Sequence, residues 1–259
     1  MLFSLAGLFF CSCQFNEKLV LNENGSGNYT YSFDIDAASM LKGLDTSTTE
    51  KQESTEKSKV TTYTGKTYQA YVDENFSKSV VKGNKELFDK YSKLIENYTV
   101  KVSEESDDKS STSFSIDFKQ PSEIVDGNKI FFYHMMLEDA KKGKSTFKDK
   151  VGKRDNVVNY FNSKFDYKNN VFSRNIEFKA EEKDKKQSEK DKELMESMSS
   201  MLKYKTTYVF PKRIKKVNNE KATFSLDGKT MNIEYGFFDI ISNPEILKWG
   251  INKANVKYI

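Results

Sequence analysis

Beyond residue 13 this chain of 259 residues contains no cysteine, since its two cysteines are Cys11 and Cys13. The body that follows therefore carries no disulfide framework and no thiolate metal site. Histidine occurs once, as His134 in the apolar run YHMML. A lone histidine without cysteine partners cannot build a zinc centre; a structural or exposed histidine is the expectation, with a general base as the alternative. Three prolines and 12 glycines exclude collagen-like and proline-rich low-complexity sequence. Arginine is confined to Arg154, Arg174 and Arg213, although Lys and Arg together number 42 against 38 acidic residues. Nucleic-acid readers cluster their basic residues and rely on Arg for bidentate contacts. Here lysines are interleaved with Asp and Glu throughout, which describes a solvated surface and argues against a nucleic-acid partner. No GxSxG, HExxH, P-loop or dinucleotide-binding glycine pattern occurs. Asp107-Asp108 and Asp126-Gly127-Asn128 do not reach EF-hand spacing, so no metal or cofactor is expected.

What the chain has instead begins at its N-terminus. Leu2–Phe10 is an uncharged, mostly apolar run that ends at Cys11-Ser12-Cys13, after which the composition turns polar. The run is too short to span a bilayer, which takes about 20 apolar residues, and it reads as a secretory signal over residues 1–12. A lipoprotein signal places a small residue before the acylated cysteine. Cys13 follows Ser12 whereas Cys11 follows Phe10, so Cys13 is the expected acceptor. Two features depart from the usual pattern: the box reads Phe10-Cys11-Ser12, and no basic residue precedes Lys18. The competing explanations are a buried N-terminal strand and a Cys11–Cys13 pair.

Aromatic residues are abundant, with 20 Phe and 14 Tyr, and favour half-buried pleated surfaces. Leu19 and Leu21, the turn Asn22–Gly27, and then Tyr29, Tyr31, Phe33 and Ile35 at period two predict a first hairpin. A short helix capped by Asp36 is expected next. Residues 45–59 hold no apolar residue and are expected to form a mobile polar loop. A weak strand is expected over Val60–Val72. Asn84 should cap a helix with Leu87, Phe88, Tyr91, Leu94, Ile95 and Tyr98 on one face. Val100–Val102 and Phe114–Phe118 predict a second hairpin across a polar Ser106–Thr112 connection. Pro121–Ala140 reads as helical or mixed, with Ile130–Tyr133 ambiguous between helix and strand, and 141–156 as an exposed basic loop. Val157–Tyr167 and Val171–Phe178 predict a third hairpin around Asn169-Asn170. A charge run over 181–193 leads into a helix with a Met-rich stripe, Leu194 to Leu202. Tyr204, Thr206 and Tyr208 alternate towards Phe210-Pro211. Asp227-Gly228 predicts a fourth hairpin turn, with Met231, Ile233 and Tyr235 leaving it. A helix near 237–248, interrupted at Asn243-Pro244, precedes a last strand at 254–258.

Hairpins alternating with helical sequence predict one α+β domain over 13–259, antiparallel hairpins forming a sheet with helices packed on one face, with one sheet and two related halves both open. Within it Arg174 draws attention. Alternation places it on the same side as Phe172 and Ile176, where a charge needs a carboxylate or an anionic ligand; an irregular register would instead leave it in solvent. Asp34 and Asp36 share one side of a strand.

Several stretches together resemble a family of envelope lipoproteins common in Bacteroidetes. They are Cys13, Asn24-Gly25-Ser26-Gly27-Asn28-Tyr29 with Phe33-Asp34, Tyr208–Ile214, Ala222–Thr230 and Asn243-Pro244-Glu245. Each is turn chemistry, and none is catalytic. The resemblance implies a protein of unassigned reaction in a Gram-negative envelope. It also implies a periplasmic face, because Gln14–Glu17 lacks the acidic cluster of surface-exported members. The expectation is a lipid-anchored binding or scaffolding module, without enzymatic activity, whose ligand could be an acyl chain or another hydrophobic molecule. The competing class is an envelope hydrolase that uses paired carboxylates.

Overall fold

The computed structural model describes residues 14–36, 59–63, 72–74, 76–106, 109–141, 162–169, 171–176, 202–236, 239–240, 244–247 and 256–258. The expectations for the signal and Cys13, for the helix after Asp36, for residues 45–58 and 142–161, and for the charge run with its Met-rich stripe up to residue 201 lie outside these residues.

The first strands follow the predicted hairpin. β1 (Gln14–Leu21) and β2 (Gly27–Asp36) pair antiparallel from Gln14↔Asp34 to Leu21↔Gly27. The reversal works because Gly25 sits at φ 85, a region costly for side-chain-bearing residues. β3 (Lys59–Tyr63) covers the start of the Val60–Val72 strand expected, residues 64–71 lie outside the described residues, and Val72 lies in a helical turn instead. Helix α1 (Lys78–Gly83) is capped by the Ser77 side chain, and α2 (Lys85–Leu94) follows Asn84. Leu87, Phe88 and Tyr91 of α2 are buried, as its stripe predicts.

The second hairpin is longer than expected. β4 (Thr99–Ser106) and β5 (Lys109–Phe118) pair through most of the Ser- and Thr-rich connection, because short hydroxyl side chains suit the solvent side of a ladder. The 121–140 segment divides. Pro121–Glu123 forms one 3-10 turn, and α3 (Gly127–Lys141) starts only after Asp126, which settles Ile130–Tyr133 as helix. The third hairpin is β6 (Ser163–Lys168) and β7 (Val171–Ile176), with Asn169 at φ 54 in the turn. β8 (Lys203–Val209), β9 (Ile214–Lys216), β10 (Thr223–Phe224) and β11 (Thr230–Gly236) follow, the last two joined through Gly228 at φ 69. The expected 237–248 helix is reduced, among the described residues, to a helical pair at 239–240 and a 3-10 turn, Pro244–Leu247. β12 (Val256–Tyr258) ends the order.

The architecture is α+β and mostly sheet. An eight-stranded sheet runs β10-β11-β8-β1-β2-β5-β4-β3, and a second, four-stranded sheet runs β6-β7-β12-β9. The large sheet corrects the antiparallel expectation, for β1 pairs parallel with β8 from Gln14↔Lys203 to Val20↔Val209. A parallel neighbour needs a long crossover, which local hairpin signals cannot announce.

Period-two patterning divides the large sheet by face. Phe15, Leu19, Tyr29, Tyr31, Phe33, Phe114, Ile116, Tyr204, Tyr208, Met231, Ile233 and Tyr235 are all buried. Phe131 of α3 packs edge-on against Phe15 and Phe33, at 4.8 and 4.9 Å between ring centroids. Phe172 of the small sheet reaches Tyr208 at 6.1 Å, and Phe165 reaches Tyr29 at 5.8 Å. Such ring pairs add about 0.5–1.5 kcal/mol each beyond area burial. The alternate positions are polar. Lys18, Asp34, Lys205, Asn232 and Glu234 are exposed, while Asn16, Thr30, Ser32, Ser113, Ser115 and Thr207 are half-buried. Side chains on this face bond across strands, Thr30 to Ser115 at 2.8 Å and Thr207 to Asn232 at 2.9 Å.

Two glycines test the packing in opposite senses. A Cβ at Gly127 would stand 1.9 Å from the buried Tyr31 ring, whereas one at Gly83 would meet nothing within 4 Å. Gly127→Ala should lower the urea midpoint by the equivalent of about 1–3 kcal/mol, the usual range for overpacking. Gly83→Ala should raise it by about 0.4–1 kcal/mol through lost freedom in the unfolded chain.

Candidate functional site

Arg174 is fully buried, as are Glu17 and Asp126 to within a few per cent of exposure. Each arrives by a different local rule. Arg174 occupies the inward phase of β7 between Phe172 and Ile176, so the solvent-facing register is excluded. Glu17 shares the inward phase of β1 with Phe15, Leu19 and Leu21. Asp126 precedes α3 and caps it: its Oδ1 accepts from the Asn128 amide at 2.9 Å, and its carbonyl accepts from the Ile130 amide at 3.2 Å.

Together they form one cluster. Arg174 Nη1 donates to Glu17 Oε1 at 3.1 Å and to Tyr208 Oη at 3.1 Å. Its Nε donates to Ser163 Oγ at 2.9 Å, and its Nη2 stands 3.7 Å from Asp126 Oδ2. The Phe165 ring lies beneath the guanidinium, 5.2 Å from Cζ to the centroid. The remaining Glu17 capacity is filled by phenols, Tyr204 donating to Oε2 and Tyr208 to Oε1. Asp126 Oδ2 also accepts from the Ser163 amide at 3.0 Å. Two β2 tyrosines close the side nearest α3: Tyr29 Oη accepts from the Gly127 amide at 3.2 Å, and Tyr31 donates to Asn128 Oδ1 at 3.1 Å.

The electrostatics follow from enclosure. Burial is the largest influence on Tyr29, Tyr31, Tyr204 and Tyr208 and lifts each well above the ordinary phenol value, with the negative charge of Glu17 adding to the rise. For Arg174 burial opposes the charge, but Glu17 and the surrounding phenols outweigh it, and the guanidinium is held more firmly charged than usual.

The carboxylates therefore converge, yet towards Arg174 and not towards a surface. Glycoside hydrolysis needs one carboxyl to protonate a leaving group and another facing the sugar or a water. Both oxygens of Glu17 are engaged by protein donors inside a sealed core. What the arrangement does is join β1, β6, β7, β8 and the start of α3 at one point.

Of the two outcomes the sequence leaves open for Arg174, solvent or a carboxylate or anionic partner, the structure shows the second, and the chain supplies the carboxylates itself. Glu17 was missed, although its signal was present: it stands in phase with three apolar residues of a strand, as Arg174 does. Cys13 lies outside the described residues. His134 packs on Phe33 and Phe114 at 5.5 and 6.0 Å, its Nδ1 3.4 Å from Tyr91 Oη. Asp34 is exposed on the polar face. Among the described residues no three His, Cys, Asp or Glu side chains group as metal ligands. No protein family, characterised protein or solved structure matches the chain.

Removing one member should cost far more than removing the pair. Arg174→Met is expected to destabilise by about 3–5 kcal/mol, because two buried carboxylates lose their cation. Glu17→Gln/Arg174→Met should recover a large part of that loss, and a double-mutant cycle by urea denaturation gives the coupling directly.

High pH probes the same core. Below the ordinary tyrosine value of 10.0 both the folded and unfolded states keep their phenolic protons. Above it the unfolded chain ionises and the folded one resists, so stability falls as pH rises, by up to about 1.4 kcal/mol per pH unit for each buried tyrosine. The tyrosinate absorbance of these four residues should appear together with loss of secondary structure. Ionisation that precedes unfolding would contradict the sealed cluster.

Proposed function

We propose that the chain is a lipid-anchored protein of the cell envelope, facing the periplasm, that binds or scaffolds a partner and catalyses no reaction. The observation that carries this reading is the placement of Cys13 between an uncharged apolar run and a folded body. The resemblance to envelope lipoproteins of Bacteroidetes supports the same location. Two or more acyl chains hold a protein on a membrane where one is marginal.

The non-catalytic part rests on the sealed carboxylates. The buried carboxylate pair among the described residues is engaged, Glu17 by Arg174, Tyr204 and Tyr208 and Asp126 by Arg174 and the Ser163 and Asn128 amides. In this reading the helices lie on one face of the large sheet, as the contacts of Phe131 with Phe15 and Phe33 support, and the polar face is left for a partner. An acyl chain or other hydrophobic ligand is the less favoured occupant, because the rings that would line its cavity pack on one another.

Cys13→Ala should move the protein from the membrane to the soluble fraction, while Cys11→Ala should leave fractionation unchanged. A Cys13→Ala protein that stays with the membranes defeats the anchoring.

A further inference from the structure

The covalent distance from the proposed anchor to the folded body is a single peptide bond. β1 starts at Gln14, and it is paired on both sides from that residue, with Asp34 of β2 and Lys203 of β8. Strands rise about 3.3 Å per residue, so Cys13 stands only that far from an interior strand of the sheet. Neighbouring strands extend beyond this level. Ile35 of β2 pairs with Ser110 of β5, and Asp36 with Lys109, two registers further out.

From this topology we infer that the acylated protein has no tether and sits directly on the bilayer. The end of the large sheet that carries Asp34–Asp36, Lys109–Ser111 and Lys203 meets the lipid headgroups. The inference rests on acylation of Cys13, and its partner surface is the headgroup layer of the anchoring leaflet. The opposite end of the sheet is held away from the membrane. It carries the Asn22–Gly27 turn, Lys119 after β5, Lys212 after β8 and the Ser225–Lys229 turn. β1 reaches that end at Leu21, eight residues from Gln14 counted inclusively, which sets the two ends roughly 25 Å apart at strand rise.

The contact inferred here is imposed by the covalent link. Among the side chains described at this level, Lys203 is balanced by Asp34. Attraction to anionic lipid through a basic patch would fade with added salt, whereas proximity imposed by a covalent link does not.

Lysine acetylation footprinting reads the orientation without new labels. Lys203 keeps a side-chain exposure of 37%, and Lys212 one of 50%. The full chain carrying Cys11→Ser is coupled at Cys13, its remaining thiol, to a maleimide phospholipid and placed on vesicles of phosphatidylethanolamine and phosphatidylglycerol. An anchor is then present whether or not cells acylate the residue. Lys203 should react several-fold more slowly on vesicles than in the uncoupled protein, with Lys119 and Lys212 unchanged, at low and high salt alike. A flexible insert of about ten Gly and Ser residues between Cys13 and Gln14, spanning roughly 17 Å, should restore Lys203 while leaving the protein on the vesicles. A Lys203 rate that does not change on coupling to vesicles overturns the inference, and so does protection that survives the insert. Intact mass of the protein taken from cell membranes reports separately whether Cys13 is acylated.

Discussion

A guanidinium without water must be neutralised within the protein, and that requirement governs how this chain closes. Arg174 and Glu17 are 157 residues apart and meet in a fully buried ion pair. Neither could be buried alone, since an uncompensated charge costs several kcal/mol in the core. The small sheet must therefore lie over β1, with β8 alongside to bring Tyr204 and Tyr208 to the same carboxylate. Asp126 adds the start of α3 to this point. Hydrophobic burial supplies the bulk of the driving force here, as in other domains, but it is tolerant of sliding. The cluster is not tolerant. A one-residue slip of β1 would carry Glu17 to the polar face and leave Arg174 without its principal partner.

The local half of this fold could be read from residue order. Asn24-Gly25 and Asp227-Gly228 demand left-handed backbone, and both glycines adopt it. Asn169, with φ 54, does the same for the third hairpin at a residue type that tolerates the region. The spacing of Leu87, Phe88 and Tyr91 is helical in sequence and in space. What stayed hidden is non-local. Nothing near Gln14–Leu21 states that a strand some two hundred residues later will lie parallel to it, and nothing near Val256–Tyr258 names β7 and β9 as its partners. Ile130–Tyr133 was ambiguous because four consecutive bulky apolar residues satisfy either period. Its neighbours decided the matter, once Asp126 capped the turn ahead of it.

The cluster was half legible for a similar reason. Arg174 stood out because arginine is scarce and its strand phase is clear. Glu17 is one of many acidic residues in the chain, and its strand phase shows only when the alternation of Leu19 and Leu21 is carried back towards Gln14. Two opposite charges, each alone in the apolar phase of its own strand, predict one another. That rule needs no knowledge of the fold.

The position of β1 has a consequence for the order in which the molecule can be made. It is an interior strand, bordered by β2 within the same hairpin and by β8, which starts only at Lys203. As synthesis proceeds, β1 can pair on one side at once but must wait for Lys203–Val209 on the other. Until then one edge of a strand that buries Phe15, Leu19 and Leu21 stays unpaired, and Glu17 has no arginine until Val171–Ile176 has been made. Closing loops of this length is slow, because their entropy must be lost before any contact offsets it. Partly made chains therefore expose an adhesive edge that the finished protein hides. Folding of this sequence is a race between its own C-terminal third and any other strand that reaches β1 first.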